Sequence, residues 1–261
     1  MQRLPLRFLQ LTALILAIGG TIGLVFAARL APVPELSMAE LTAAQNFAYA
    51  RVTGQILQPP VYDPARGTLF FRMTQGGQEM SVAAFRAETE ALIAAKTVPA
   101  AGDTVTVEGT VRLRDSAASM SLANPAGLII QRPAPKPMFV GQALASPAGQ
   151  AVTLEASVVA VREVTPEITL VTLADPSGVI DLALDRAAEP LIGLVEAPRE
   201  GEAVRVSGVI TRFRESPQLA LVSAADLSVI PTAALRPAVP SGATGLAALV
   251  PGQSGVAEGR V

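Results

Sequence analysis

The chain has 261 residues, 50% of them hydrophobic, with 20 basic and 22 acidic residues and no His, Cys or Trp. Without His and Cys it lacks the usual ligands of zinc and copper, an axial His for haem, and the Ser-His or Cys-His pairs of nucleophilic enzymes. The formal net charge is −2, and no basic patch typical of a phosphate-backbone binder stands out.

An uncharged stretch comes first along the chain. Phe8–Ala28 contains 21 residues without a charge, which would span roughly 30 Å as a helix. Arg3 and Arg7 precede it, so the positive-inside bias predicts a single-pass anchor within 1–30 in a bacterial cell membrane. The N-terminus would then be cytoplasmic and the bulk of the chain extracytoplasmic. A cleaved signal peptide and a soluble helix are the alternatives.

A spacer at 31–40 leads to a first folding unit at 41–131. Its apolar residues alternate with polar ones, which is typical of half-buried strands. The pattern predicts three strands, a helix and two strands, at Tyr49–Leu57, Gly67–Thr74, Gln78–Phe85, Arg86–Lys96, Gly102–Arg114 and Ser119–Ile130.

A Pro-rich linker at 132–149 precedes a second unit at 150–231 with the same order of elements, including a short helix around Pro190–Glu196. The segment GDTVTVEGTVRLRDS (102–116) reappears as GEAVRVSGVITRFRES (201–216), one residue longer. One folding unit is therefore used at least twice. The Pro-rich tail at 232–261 ends like the start of a third unit, which predicts a longer natural protein; otherwise its last strand pairs elsewhere.

Three strands, a helix and two strands form the order of the oligonucleotide/oligosaccharide-binding (OB) barrel. The predicted fold is all-β with one short helix per unit: tandem five-stranded OB barrels behind an N-terminal transmembrane helix. Alternation along the strands predicts eight inward side chains. These are Phe71, Met73, Met80, Val82, Val171, Leu173, Ile180 and Leu182. An immunoglobulin-like sandwich is the competing fold, although it would need about seven strands per unit and no helix.

The segments LADPSGVIDL (173–182) and GEAVRVSGVI (201–210) carry a family resemblance. They resemble the nucleic-acid-binding OB domains of the tRNA-anticodon type, which implies single-stranded nucleic acid as a partner. The arrangement is also similar to the membrane-anchored haem chaperone of cytochrome c maturation, and GQSGVAEGRV near the C-terminus is similar to a strand of that family. That family attaches haem through a His, which this chain lacks, so we expect no haem and no other cofactor.

Ligands of OB domains lie across the second and third strands and the loops beside them. In the first unit, Phe70 and Arg72 are predicted to point outward from the second strand, with Tyr62 in the loop before it. An aromatic ring for stacking beside an Arg for phosphate suits single-stranded nucleic acid. Alternatively, Phe70 covers the barrel edge or contacts the other barrel.

A repeated Arg-x-Arg motif leads into the loop between the fourth and fifth strands of each unit. Two arginines on one face of a strand could hold phosphate or carboxylate. The candidate residues are Arg112, Arg114, Arg212 and Arg214. Each pair is followed by an acid, Asp115 or Glu215, so a salt-bridged hairpin end is the alternative.

The second unit is acidic, with six basic and twelve acidic residues in 150–231. Its carboxylates, including Asp175, Asp181 and Asp185, lack the spacing of a calcium loop and are interpreted as a solvated surface without a metal. No carboxylate pair stands out as catalytic, so the chain is expected not to be an enzyme. The predicted function is that of a membrane-anchored tandem OB protein that binds single-stranded nucleic acid. The alternative is a scaffold that binds other proteins of the cell envelope.

Overall fold

The computed structural model describes residues 14, 16–21, 23, 33–115 and 117–231. The chain divides into two compact units, Met1–Glu35 and Leu36–Val261. In the first unit, residues 16–21 are helical. The rest of the predicted anchor before residue 33, and the predicted third unit at 232–261, lie outside the described residues.

Within the part of the chain that the structure describes, no helix has the length and apolar character needed to cross a bilayer. This finding contradicts the predicted single-pass membrane localisation with most of the chain outside the cytoplasm. Most of residues 8–28, the predicted membrane contact, lie outside the described residues.

The second unit begins with a five-stranded barrel, here called barrel 1. Its elements are β1 (Tyr49–Ile56), β2 (Val61–Asp63), β3 (Thr68–Gln75), β4 (Gln78–Ala84), α1 (Arg86–Ala94), β5 (Thr104–Arg114), β6 (Ala117–Leu122) and β7 (Leu128–Gln131). The strands pair in the order β1-β3-β4-β6-β5, and β5 pairs back with β1, which closes the barrel. The β4–β6 pair is parallel and the others are antiparallel, which is the Greek-key arrangement of an OB barrel.

Barrel 2 follows with the same topology. Its elements are β8 (Lys136–Pro137), α2 (Val140–Leu144), β9 (Ala151–Thr165), β10 (Ile168–Asp175), β11 (Gly178–Asp185), α3 (Glu189–Ile192), β12 (Ala203–Phe213), β13 (Ser216–Ala220) and β14 (Leu227–Ile230). The order β9-β10-β11-β13-β12 closes through β12 and β9. The closed barrels confirm the predicted mostly-β class and exclude the sandwich.

Each barrel encloses its own hydrophobic core, because successive strand residues point alternately inward and outward. All eight side chains predicted to point inward are buried, none more than 3% exposed. The first core also receives Leu92 from α1, and the second receives Val140 and Ala143 from α2. Residues 136–144 lie in the predicted linker, yet they pack as part of barrel 2.

Two elements differ by more than a residue or two from their predicted form. The predicted fifth strand of the first unit divides into β6 and β7, because Asn124 accepts a hydrogen bond from the Ala126 N–H at 2.9 Å and begins a 3-10 turn at Pro125. The short helix predicted around Pro190–Glu196 begins at Glu189 and ends at Ile192. Gly193 follows it at φ +92°.

Glycine is required where neighbouring strands of each barrel approach closely. A Cβ on Gly109 would overlap the backbone carbonyl of Ser121, and a Cβ on Gly208 would lie 2.6 Å from the carbonyl oxygen of Ala220. These two glycines hold equivalent places in β5 and β12. Their role is to allow neighbouring backbones to approach closely, which any side chain would prevent.

The two barrels contact each other through small apolar side chains. Ala101 of barrel 1 packs with Ala151 and Val209 of barrel 2 in a separate buried cluster. Gly102 lies at φ +86°, and a Cβ there would lie 3.0 Å both from the carbonyl oxygen of Gly149 and from the Val209 side chain. The loop before β5 therefore lies directly against the outer surface of barrel 2.

Candidate nucleic-acid interface

A row of four outward side chains crosses the outer face of barrel 1. The strand registers place Arg72 of β3 opposite Ser81 of β4, Ser81 opposite Ser119 of β6, and Ser119 opposite Arg112 of β5. This arginine–serine row has an Arg at each end and hydroxyl groups between them. Both arginines and Ser81 are exposed, and Ser119 is half-buried.

The dimensions of the arginine–serine row suit an extended anionic chain. Three inter-strand steps of about 4.8 Å separate the Cα atoms of its two ends, roughly 14 Å along the sheet. Guanidinium groups at both ends supply fixed donors for phosphate oxygens, and serine hydroxyls donate as well. Ser119 Oγ already donates to the Arg112 carbonyl oxygen at 3.2 Å, so this hydroxyl is oriented from the backbone of β5.

A second row runs beside the first and carries aromatic rings at its ends. Phe70 lies opposite Ala83, Ala83 opposite Ser121, Ser121 opposite Thr110, and Thr110 opposite Tyr49. Phe70 is 40% exposed and Tyr49 is 44% exposed. Small side chains therefore form the middle of this aromatic row and rings form its ends.

Tyr62 does not join the aromatic row. It lies in β2 opposite Leu69, is half-buried, and packs against the core of barrel 1. Its neighbour Val61 is the β2 residue that lies opposite Phe70. The structure thus brings Phe70 and Arg72 to the same outer face. Tyr62 instead lies half-buried in β2, at the edge of barrel 1.

The two Arg-x-Arg motifs occupy different registers. Arg112 and Arg114 both point outward from β5, and Arg114 lies opposite Ala117 at the end of the β5–β6 hairpin. In barrel 2, Thr211 takes the place of Arg112 and lies opposite Gln218. Phe213 takes the place of Arg114 and lies opposite Ser216. The extra residue in the second copy of the repeat shifts its arginines by one place.

As a result, the second pair of arginines does not form a clamp on one strand face. Arg212 lies in β12, where its Nη1 donates to the carbonyl oxygen of Glu215 at 3.1 Å. Arg214 lies in the turn at φ +47°, with its Cζ 5.3 Å from the centre of the Phe213 ring. Within the described residues, none of the four candidate arginines forms an ion pair with Asp115 or Glu215.

In barrel 2, the positions of the arginine–serine row hold a different set of side chains. They are Thr172, Asp181, Gln218 and Thr211. Thr172 Oγ1 donates to Asp181 Oδ1 at 2.8 Å. The positions of the aromatic row hold Leu170, Ala183, Ala220, Val209 and Ala151. The last three are buried, and two of them contact Ala101 of barrel 1.

The three acids of barrel 2 that were considered for calcium each accept a hydrogen bond. Asp175 accepts from the Ser177 and Val140 N–H groups at 2.7 and 2.8 Å, and Asp185 accepts from the Ala187 N–H at 2.9 Å. Among the described residues, no group of three or more carboxylates is arranged to hold a metal ion. These acids shape turns and helix starts.

An ion pair lies beside the contact between the barrels. Arg132 donates from Nε to Asp103 Oδ1 at 2.9 Å and from Nη2 to Asp103 Oδ2 at 2.8 Å. Its hydrogen bond to Asp103 raises the pKa of Arg132. Across a cleft of about 190 Å³, burial raises the pKa of Asp226. This cleft is separate from the outer face of barrel 1.

Several residues of the interface were not identified from the sequence: Ser81, Ser119, Thr110, Tyr49 and the exposed Phe47. Phe47 lies beside Arg112, whose Cζ is 5.9 Å from its ring centre. Strand alternation could have shown that Ser81 and Ser119 point outward. Their alignment with Arg72 and Arg112 depends on the pairing register, which alternation does not specify.

Comparison with known proteins finds no matching family model and no matching curated protein. Among solved structures, a murine DNA-binding protein bound to double-stranded DNA matches over 72% of this chain and 98% of its own, with 12% identity and a TM-score of 0.31. A replication protein A heterotrimer bound to single-stranded DNA matches over 75% of this chain and 51% of its own, with 11% identity and a TM-score of 0.35.

An OB domain of a Methanosarcina mazei protein matches over 31% of this chain and 71% of its own, with 20% identity and a TM-score of 0.26. All three TM-scores are below 0.5, so these similarities carry no inference about the function of this chain.

Proposed function

We propose that barrel 1 binds single-stranded nucleic acid across its outer face, and that the chain acts as a binding protein without catalysis. The observation that carries the proposal is the arginine–serine row, in which Arg72 and Arg112 lie at the two ends of one cross-strand register. Within the described residues, neither Arg forms an ion pair. Their guanidinium donors are therefore open to an external anion.

The aromatic row supports a single strand over a duplex. The exposed rings of Phe70 and Tyr49 can stack only on bases that are not already enclosed in a double helix. The small side chains of Ala83, Ser121 and Thr110 between them leave room for the sugar–phosphate chain. Stacking is tolerant of sequence, so we expect little preference among bases.

Charge limits the strength of this binding. The segment 40–132 carries eight basic and eight acidic residues, and 150–231 carries a net charge of −6, from six basic and twelve acidic residues. Nucleic acid would therefore be attracted by local guanidinium groups on barrel 1 and repelled by barrel 2. We expect weak binding that falls as salt rises, with barrel 2 serving as a structural neighbour.

Fluorescence anisotropy of the full chain with a labelled oligo-dT tests the proposal. With Arg72, Arg112 and Arg114 exposed on this face, the log–log slope of affinity against salt should be about −2. The double substitution Arg72→Ala with Arg112→Ala should lower affinity about 30-fold or more, because each change removes charged hydrogen bonds to phosphate.

A matched control is Arg212→Ala with Arg214→Ala, which removes the same charge from barrel 2 and should leave affinity nearly unchanged. Equal losses in both double variants would contradict a site on barrel 1. Absence of binding by the wild-type chain at low salt would instead favour the alternative of a scaffold that binds other proteins. Apolar docking of such a partner should hardly depend on salt.

A further inference from the structure

Phe47 and Gly149 occupy the same backbone position in the two barrels. The Phe47 N–H donates to the carbonyl oxygen of Val111 at 2.8 Å, and the Gly149 N–H donates to that of Ile210, also at 2.8 Å. Val111 and Ile210 are equivalent residues of β5 and β12. An equivalent backbone hydrogen bond therefore holds the chain where it enters the first strand of each barrel.

Both residues adopt the left-handed backbone conformation, with φ +67° at Phe47 and +86° at Gly149. Glycine reaches this region without steric cost, whereas a residue with a Cβ is strained there. Barrel 2 thus uses the residue that the backbone favours, and barrel 1 carries a large aromatic residue in its place.

Packing does not explain the aromatic residue. Phe47 is 67% exposed and does not belong to the core cluster of barrel 1. The side chain of Arg112 lies over its ring, with Cζ 5.9 Å from the ring centre, and Tyr49 follows two residues later at the end of the aromatic row. The ring is therefore presented to solvent at one end of the arginine–serine row.

We propose that Phe47, held beside Arg112, is a stacking platform for one unpaired base at this end of the interface. The inference rests on the proposed function and adds a residue and a contact to it. A phosphate bound by Arg112 brings the neighbouring base close to the Phe47 ring, and the ring surface that Arg112 leaves open accepts that base. Base–aromatic stacking needs no hydrogen-bond code, so any base can occupy the platform.

The test compares the full chain with Phe47→Gly, the residue that barrel 2 carries. Thermal unfolding should show the variant to be as stable as the wild type or more stable, because strain is relieved and no core packing is lost. Its affinity for oligo-dT should fall by about 5-fold to 100-fold, the cost of one lost stacking contact. Phe47→Tyr should retain wild-type affinity.

An abasic oligonucleotide of the same length separates stacking from an indirect effect through Arg112. The wild type and Phe47→Gly should bind it equally, since it has phosphates and no bases. A lower melting temperature of Phe47→Gly would overturn the inference by showing a structural role. Equal affinity of the two proteins for oligo-dT would overturn it while leaving the proposed function intact. Absence of binding by the wild type would remove both.

Discussion

Barrel 1 and barrel 2 share their strand order, closing pair and the positions of their inward side chains, yet their outer faces differ at matched positions. Arg72 corresponds to Thr172, Ser81 to Asp181, and Phe47 to Gly149. Inward positions are restricted by a closely packed core, whereas outward positions are restricted only by solubility and by what they contact. A repeated unit can therefore keep one fold and carry two different surfaces.

Contact between the barrels contributes to this difference. In barrel 2, the aromatic-row positions are held by small or aliphatic residues, and Val209 and Ala151 pack against Ala101 of barrel 1. The equivalent positions in barrel 1, Thr110 and Tyr49, remain at the surface. One barrel thus uses this part of its outer face for docking within the chain, and the other leaves it open.

The largest expected effect is a loss of stability in the loop before β5. An acid caps the same turn before β5 in barrel 1 and before β12 in barrel 2. Asp103 accepts from the Ala100 N–H, and Glu202 accepts from the Arg199 N–H, each at 2.8 Å. Among the described residues, only Asp103 of these two acids also pairs with an Arg, and its side chain is 1% exposed. Arg132→Ala should lower the free energy of unfolding by about 2–3 kcal/mol, because it leaves a buried carboxylate short of donors.

Chemical denaturation of the full chain measures that loss. Glu202→Ala in barrel 2 is the matched control and should cost about 0.5–1 kcal/mol, since it removes a single exposed turn contact. Similar losses in the two variants would mean that the buried ion pair gives barrel 1 no special stability.

A binding prediction transfers one residue from barrel 2 to barrel 1. Ser81→Asp places a carboxylate between Arg72 and Arg112, where Asp181 lies in the second barrel. The new charge should pair with the arginines and repel phosphate, so that affinity for oligo-dT falls about 10-fold at low salt. Anisotropy titrations measure the change in affinity. The melting temperature of the variant should remain near that of the wild type.

The reciprocal change, Asp181→Ser, is the control for Ser81→Asp. It removes a carboxylate from barrel 2 and should leave oligo-dT affinity nearly unchanged, because the row there has no Arg. A clear gain in affinity from Asp181→Ser would show that barrel 2 also contacts the nucleic acid.

The smallest expected effect is the pH dependence contributed by Asp226. Burial raises the pKa of its carboxyl group in the folded chain, so the folded state holds the proton more tightly than the unfolded state. The resulting stabilisation is fully present below the unfolded pKa and is lost as pH rises through the higher folded pKa. Asp226→Asn should therefore be at least as stable as the wild type at neutral pH and approach it in acid.

Denaturation curves across the acidic range, compared between Asp226→Asn and the wild type, measure this difference. A variant that is less stable than the wild type at neutral pH would show that attraction to Arg132 outweighs the cost of burying the charge.

Much of the barrel architecture follows from local patterns. Period-two alternation at Phe71, Met73, Met80 and Val82 predicted a buried face, and the repeated Gly-to-Arg segment predicted a second unit. The outward positions of Phe70 and Arg72 follow from the same alternation. Residues 136–144 belong to the segment 132–149, whose prolines predict a linker. The burial of Val140 depends instead on the shape of barrel 2, which no local pattern contains.

The arginine motifs show the limit of sequence comparison most clearly. Aligned as sequence, Arg112 and Arg212 are equivalent; in the barrels, Arg112 corresponds to Thr211, because the hairpin turn includes Arg214 itself. A shift of one residue in a strand reverses the face to which a side chain points. The motif alone could not show which copy faces the interface.

By itself, the sequence determined which residues alternate and that one unit occurs twice, because these are properties of neighbouring positions along the chain. The tertiary structure alone decided that Arg72, Ser81, Ser119 and Arg112 share one row, that Phe47 stands at its end, and that barrel 1 covers part of barrel 2. Those relations join residues from 7 to 108 positions apart, where only hydrogen-bond register and packing determine which residues lie beside each other.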